Sequence, residues 1–182
     1  MDSTASMSGL PVPRAEEFHR PLEFLFSEHD HQRVLCAALE RLAQDPLAPD
    51  APEAAAAVLD YYQTRLGAHY GDEERDLFPL LRVRADPDDG IVEILALLSE
   101  EHATDDELLQ GLLGPLRAIA HHTRPDDVPS FKAAAHTFSI LQRRHLAWEN
   151  GTILPLARRR LTDRDQTELG RRMAARRGLA LP

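Results

Sequence analysis

The feature that most constrains this chain is a pattern written twice. "HYGDEERDLFP" begins at His69 and "HLAWENGTILP" begins at His145. Both copies place Glu four residues after the His, Pro ten after, Leu eleven after and Arg thirteen after. Each follows an earlier stretch bearing Glu-His, namely Glu28-His29 and Glu101-His102. A duplicated unit of this kind folds as two like pieces packed on each other. One His-x-x-x-Glu alone says little. His19 with Glu23 spells it too, astride Pro21 and without a Leu-Phe-Pro continuation, and reads as chance.

The pieces are helical hairpins. Helix formers dominate, Gly numbers only 9, and β-branched residues are thin. Breakers such as "DPLAPDAP" and "HHTRPDDVP" leave helical blocks at about 21–44, 52–84, 91–120 and 129–161, then a shorter one at 163–177. Thr162 with Asp165 resembles a capping box at the start of the last. Gly67 and Gly71 weaken the second block. Pro79 and Pro155 each lack a backbone donor and are expected to kink or end their helices. Short connections make neighbouring helices antiparallel. The expected fold is all-α: an up-down-up-down four-helix bundle with a short fifth C-terminal helix, over residues 16–178, behind a disordered leader at 1–15.

Residues four apart share one helix face. His69 with Glu73, and His145 with Glu149, therefore point one way, joined by His29 and His102 from the other two helices. Leu22 and Leu25 precede His29 as Leu95 and Leu98 precede His102, and Tyr62 and Phe138 precede the motif histidines. Apolar walls turn these six polar groups inward. Four imidazoles and two carboxylates are costly to bury without a cation, and bundle cores build metal sites in this way. Mixed nitrogen and oxygen donors suit Fe, Mn or Zn. Two bridging carboxylates suggest two ions. Of about 12 coordination positions, these ligands and a bridging oxide or hydroxide leave about two open.

The other candidates are weaker. His31 should face away from His29. His136 lies half a turn off His145, and His121 and His122 close the third helix. Cys36 reads as core packing before redox chemistry. Arg33 pairs with an acid before it orders an anion. A net charge of −9 disfavours nucleic acid. The tail from Leu156 to Pro182 holds 8 Arg against 3 acids; it reads as a solvated helix, with a docking surface for a protein partner as the alternative. The N-terminus has no secretory h-region, and no apolar run approaches the ~20 residues that span a bilayer. One cysteine permits no internal disulfide. The expected location is the cytoplasm.

These motifs resemble the hemerythrin-like family of His-His-Glu cation-binding domains. His29, His69 with Glu73, His102, and His145 with Glu149 fit its pattern, and "LFP" and "ILP" fit its usual continuations, across about residues 21–161. The resemblance implies a non-haem di-iron centre, with Glu73 and Glu149 bridging and the four His as terminal ligands. It implies binding or sensing of O2 or NO; the alternatives are a di-iron redox enzyme acting on peroxide and an interaction module with a structural metal. Oxygen carriers of the family put His-x-x-x-His on the third helix and His-x-x-x-x-Asp on the fourth. Here Asp106 stands where the second of those His would be, as a solvated acid or a ligand, and Glu149 follows His145 at four. That departure points toward the family's bacterial regulators and stress proteins. The iron–sulfur repair branch carries a cysteine-bearing N-terminal module, and the leader has no cysteine.

Overall fold

The computed structural model describes residues 12–181. The expected leader lies largely outside them. Its residues 12–14 carry no regular element, and a 3-10 turn starts at Ala15.

Four rods form the bundle. The first is α1, Pro21–Gln44, which opens on its proline at the first turn. The second is composite: α2 (Ala51–Thr64), α3 (Leu66–Asp72), a π-turn (Glu73–Leu77) and α4 (Phe78–Arg84). The third is α5, Val92–Ala120. The fourth is α6 (Val128–Trp148), a second π-turn (Glu149–Ile153) and α7 (Leu154–Arg160). Asp127 caps α6 by accepting from Ser130 N at 2.9 Å. A fifth helix, α8, spans Asp163–Arg176, and Thr162 with Asp165 does form its capping box. No helix among the described residues is long and apolar enough to cross a membrane.

Two expectations about continuity change. The second rod breaks at Arg65, not at Gly67 or Gly71. Pro79 and Pro155 do not end their helices, which run on to Arg84 and Arg160. Each proline instead follows a π-turn, where the wider loop of backbone absorbs the missing donor and the crowding of the ring.

The core is divided. One apolar cluster, with Leu35, Leu39, Val58, Leu112 and Phe131, fills one end of the bundle. A second, with Leu22, Leu25, Leu77, Leu95 and Leu154, fills the other and takes in α8. Buried polar groups lie on the rods between them: His29 and Gln32 on α1, His102 and Asp105 on α5, Gln142 and His145 on α6.

The basic tail turns out to be an internal clamp. Arg176 pairs with Asp72 and, at 2.6 Å, with Asp76; Arg177 pairs with Asp72 at 2.7 Å. Both acids are buried. Arg84 forks onto Asp165 with two 2.8 Å bonds, and Arg160 pairs with Asp86 and Asp89. Gly170 lets α8 approach so closely that a Cβ there would run into the Phe18 carbonyl oxygen.

Candidate metal centre

Six buried side chains meet midway along the rods, one or two from each. His29 comes from α1, His69 from α3, His102 from α5 and His145 from α6. Glu73 and Glu149 each open a π-turn. Phe78 N–H bonds back to Glu73 O and Leu154 N–H to Glu149 O, five residues each. The local widening at both bridging candidates follows from the Pro six residues further on.

The carboxylates divide their oxygens between two imidazole pairs. Glu73 Oε1 lies 3.4 Å from His29 Nε2 and 3.3 Å from His69 Nε2, while its Oε2 lies 3.4 Å from His102 Nε2. Glu149 Oε2 lies 3.3 Å from His29 Nε2, while its Oε1 lies 3.3 Å from His145 Nε2. His102 and His145 bring their Nε2 atoms to 3.1 Å. The result is two overlapping groups, His29–His69–Glu73–Glu149 and Glu73–His102–His145–Glu149, with every ligand atom of a group within 4.8 Å of the others. A cation about 2.1 Å from each donor asks for donors up to about 4 Å apart. His69 Nε2, Glu73 Oε2 and both Glu149 oxygens are buried and make no hydrogen bond. Lone pairs so placed fit a cation.

The outer nitrogens of the histidines are supported unequally. His102 Nδ1 lies 2.8 Å from Glu74 Oε1, and Ser99 Oγ donates to the other oxygen of Glu74 at 2.9 Å. His145 Nδ1 lies 3.0 Å from Glu101 Oε2, and Arg144 holds the other oxygen of Glu101. His29 Nδ1 lies 2.7 Å from the neutral amide of Asn150, with the Arg33 guanidinium at the amide's other end. His69 Nδ1 has no hydrogen-bond partner among the described residues.

The protonation chemistry follows. Burial works against a charged His102, yet its bonds to Glu73 and Glu74 push it up to about 9. Burial likewise opposes His145, but the Glu149 charge and the Glu101 bond raise it to about 11. His29 rises against burial through Glu149 and Glu73. His69 falls, because burial outweighs Glu73.

Around the six sit the walls the sequence placed there. Leu22, Leu25, Leu95 and Leu98 are all buried. Tyr62 and Phe138, the matched aromatics, meet edge to face at 5.5 Å. The Tyr70 ring stacks on His102 at 4.1 Å and its hydroxyl donates to Asp105 at 3.1 Å.

The remaining candidates stay outside the six. Asp106 is exposed, a solvated acid; the buried one is Asp105. The inward stripe of α5 runs Leu98, His102, Asp105, Leu109, so three residues past His102 faces in. His136, His121 and His122 are exposed. His31 lies 3.6 Å from Glu28 and joins neither group. His19 and Glu23 line a surface groove and also join neither. Arg33 pairs with Asp30 at 2.8 Å. Cys36 is buried, and burial pushes its thiol up to about 12. Sequence reasoning missed the roles of Glu74, Glu101 and Asn150. Their signal was present: Glu74 and Asn150 each follow a bridging candidate, and Glu101 precedes His102.

A family model described as Hemerythrin HHE cation binding domain matches residues 20–157. No curated protein matches the chain.

Proposed function

Because this chain belongs to the hemerythrin family of HHE cation-binding domains, we propose that its centre holds two iron ions and binds or senses a small diatomic ligand, O2 or NO. The observation that carries this reading is the division of Glu73 and Glu149 oxygens between the two imidazole pairs. The ligands in this reading are His29, His69, Glu73, His102, His145 and Glu149. Iron, when bound, supplies a reversible redox change and coordination positions open to a small ligand; Mn or Zn suits the same donors. Residues 16–178 form the working unit, behind a leader at 1–15. The single buried thiol suits a reducing compartment, the cytoplasm.

The chain's own groups divide the remaining work. Glu73 and Glu149 would hold the pair together and balance its charge. Leu22, Leu25, Leu95 and Leu98 keep water out. One turn from the ligands on their own helices, Gln32 Nε2 and Gln142 Oε1 are buried without a hydrogen bond, polar atoms able to face a small ligand.

Peroxide turnover is the second reading. It is favoured by the Tyr70 hydroxyl, which sits on the His102 ring's stacking partner and donates to Asp105. Burial raises Asp105 to about 6, where it can give or take a proton.

Metal analysis of protein purified without chelator, with visible spectra of the reduced form before and after air, peroxide and NO, tests both readings. About two irons per chain and a spectral response are expected. A folded, metal-free chain from iron-replete cells would overturn the di-iron reading. Sustained O2 evolution from peroxide would move the conclusion to the enzyme.

A further inference from the structure

The two imidazole pairs are backed by different chemistry. Behind His102 and His145 stand two carboxylates, Glu74 at 2.8 Å and Glu101 at 3.0 Å. Behind His29 stands the neutral Asn150 amide, with Arg33 beyond it, and His69 Nδ1 has no hydrogen-bond partner among the described residues. The repeat makes the contrast sharper. Asn150 occupies in the second motif copy the place Glu74 holds in the first. Glu28 occupies before His29 the place Glu101 holds before His102, but Glu28 is turned to Arg65 and the Tyr61 hydroxyl. Both supporting carboxylates thus survive on one side, and on the other neither place supplies a carboxylate bonded to a ring nitrogen.

A carboxylate that accepts from the outer N–H of a ligating imidazole fixes the tautomer, orients the ring and raises its basicity, and removing one costs about 10–100-fold in metal affinity. From this asymmetry we infer that the two metal positions are unequal: the His102–His145 position fills first and holds its ion, and the His29–His69 position is the exchangeable one, open to a different divalent cation. The inference rests on the two-ion reading above. Charges further out reinforce it. Glu74, and Glu101 with Arg144 on its other oxygen, lower the cost of a dication at their end, whereas Arg33, paired with Asp30, stands behind the Asn150 amide at the other. The bridging carboxylates serve both positions alike, so they cannot supply the difference.

The test is a Mn2+ titration of the metal-free full chain, followed by electron paramagnetic resonance and by binding isotherm. The expected first equivalent gives the spectrum of an isolated ion, and the second, binding at least about 10-fold more weakly, replaces it with that of a coupled pair. Glu74→Gln and Glu101→Gln keep shape and remove charge; each should weaken the first step by about 10–100-fold and draw the two steps together. Asn150→Asp should strengthen the second step and do the same from the other side. A coupled pair from the first addition onward, equal affinities in the unaltered chain, or a first step indifferent to Glu74→Gln and Glu101→Gln would each overturn the inference while leaving the two-ion centre intact. A folded chain that binds no Mn2+ in either step would overturn the centre itself.

Discussion

The two copies of the motif can be compared where their backbones do the same unusual thing. Both rods widen into a π-turn at the bridging candidate and both carry on through a proline. The surroundings differ. In the second rod the turn is flanked by Asp72 and Asp76, buried and gripped by Arg172, Arg176 and Arg177. In the fourth rod the corresponding residues are Trp148, which is 42% exposed, and Thr152, which is half-buried. One turn is clamped by a fifth helix and the other is left to solvent, yet Glu73 and Glu149 reach equivalent positions. The turn is therefore a local product of the buried glutamate and the proline six residues on. The clamp contributes to the stability of one side of the bundle.

The largest effect that can break this equivalence lies at Glu73 and Glu149. Glu73→Ala and Glu149→Ala should each empty most of the metal, since either removes one oxygen from both positions. His19→Ala and Glu23→Ala should leave metal content unchanged, although they spell the same local motif. Elemental analysis of the four variants decides it. Loss of metal with Glu23→Ala would mean that the repeat has been aligned on the wrong histidines.

Next in size is the clamp. Removing Arg176 and Arg177 together leaves buried Asp72 without its partners and Asp76 with Arg172 alone, a loss of about 3–5 kcal/mol. Burial already pushes Asp72 up to about 6 with both arginines opposing it. The penalty should therefore shrink below that pH, where a protonated Asp72 needs no counter-charge. On the fourth rod, Thr152→Ala should cost less than about 0.5 kcal/mol. Urea unfolding of both at pH 7.5 and pH 5 checks the contrast. A double variant as stable as the parent at pH 7.5 would show that α8 is not what holds the second rod.

How much of this was readable in the chain follows from what kind of information each part needs. The rods and the six site residues rest on helical periodicity and on a pattern stated twice, and both are local. The π-turns are signalled only by Pro79 and Pro155, and a proline does not say whether a helix will end, bend or widen. The break at Arg65 carries no Gly or Pro of its own. The tail's arginines look alike in sequence; their use depends on Asp72 and Asp76, which lie about 100 residues away and become partners only once the rods have packed. Asp105 and Asp106 differ by one position, and the angle of α5 chooses between them.

A smaller effect separates the two ends of the centre by pH. In the metal-free chain His102 and His145 titrate near 9 and 11, above the ordinary 6.5 of an unfolded chain. Raised imidazole values contribute stability that is fully present below about 6.5 and lost as pH rises through those values. A metal-loaded chain has no such protons to lose. The gap between loaded and metal-free thermal midpoints should widen from pH 6.5 to pH 9. Metal uptake at pH 7 should release about two protons, measured by calorimetry in buffers of different ionisation heat. Uptake with no proton release would place His102 and His145 in their neutral forms beforehand and remove the pH dependence.

The smallest expected effect tests the two turns through their glycines. Gly71 precedes Glu73 by two positions and Gly151 follows Glu149 by two. A Cβ at Gly71 would come within 2.8 Å of Arg176 Nε and 3.0 Å of its Cδ, both on a flexible side chain. A Cβ at Gly151 would meet nothing within 4 Å, and the residue is exposed. Neither glycine has a positive φ, so alanine suits both backbones and restricts the unfolded chain. Gly151→Ala should therefore raise stability by about 0.5–1 kcal/mol. Gly71→Ala gains the same entropy but must displace the arginine that holds Asp72 and Asp76, so its net change should be zero or a loss. Placing Gly71→Ala in a chain already lacking the Arg176 side chain should restore the gain. Thermal midpoints of the three chains read the outcome. If Gly151→Ala destabilises, the fourth rod's π-turn requires a glycine backbone after all, and the glutamate-and-proline account of both turns fails with it.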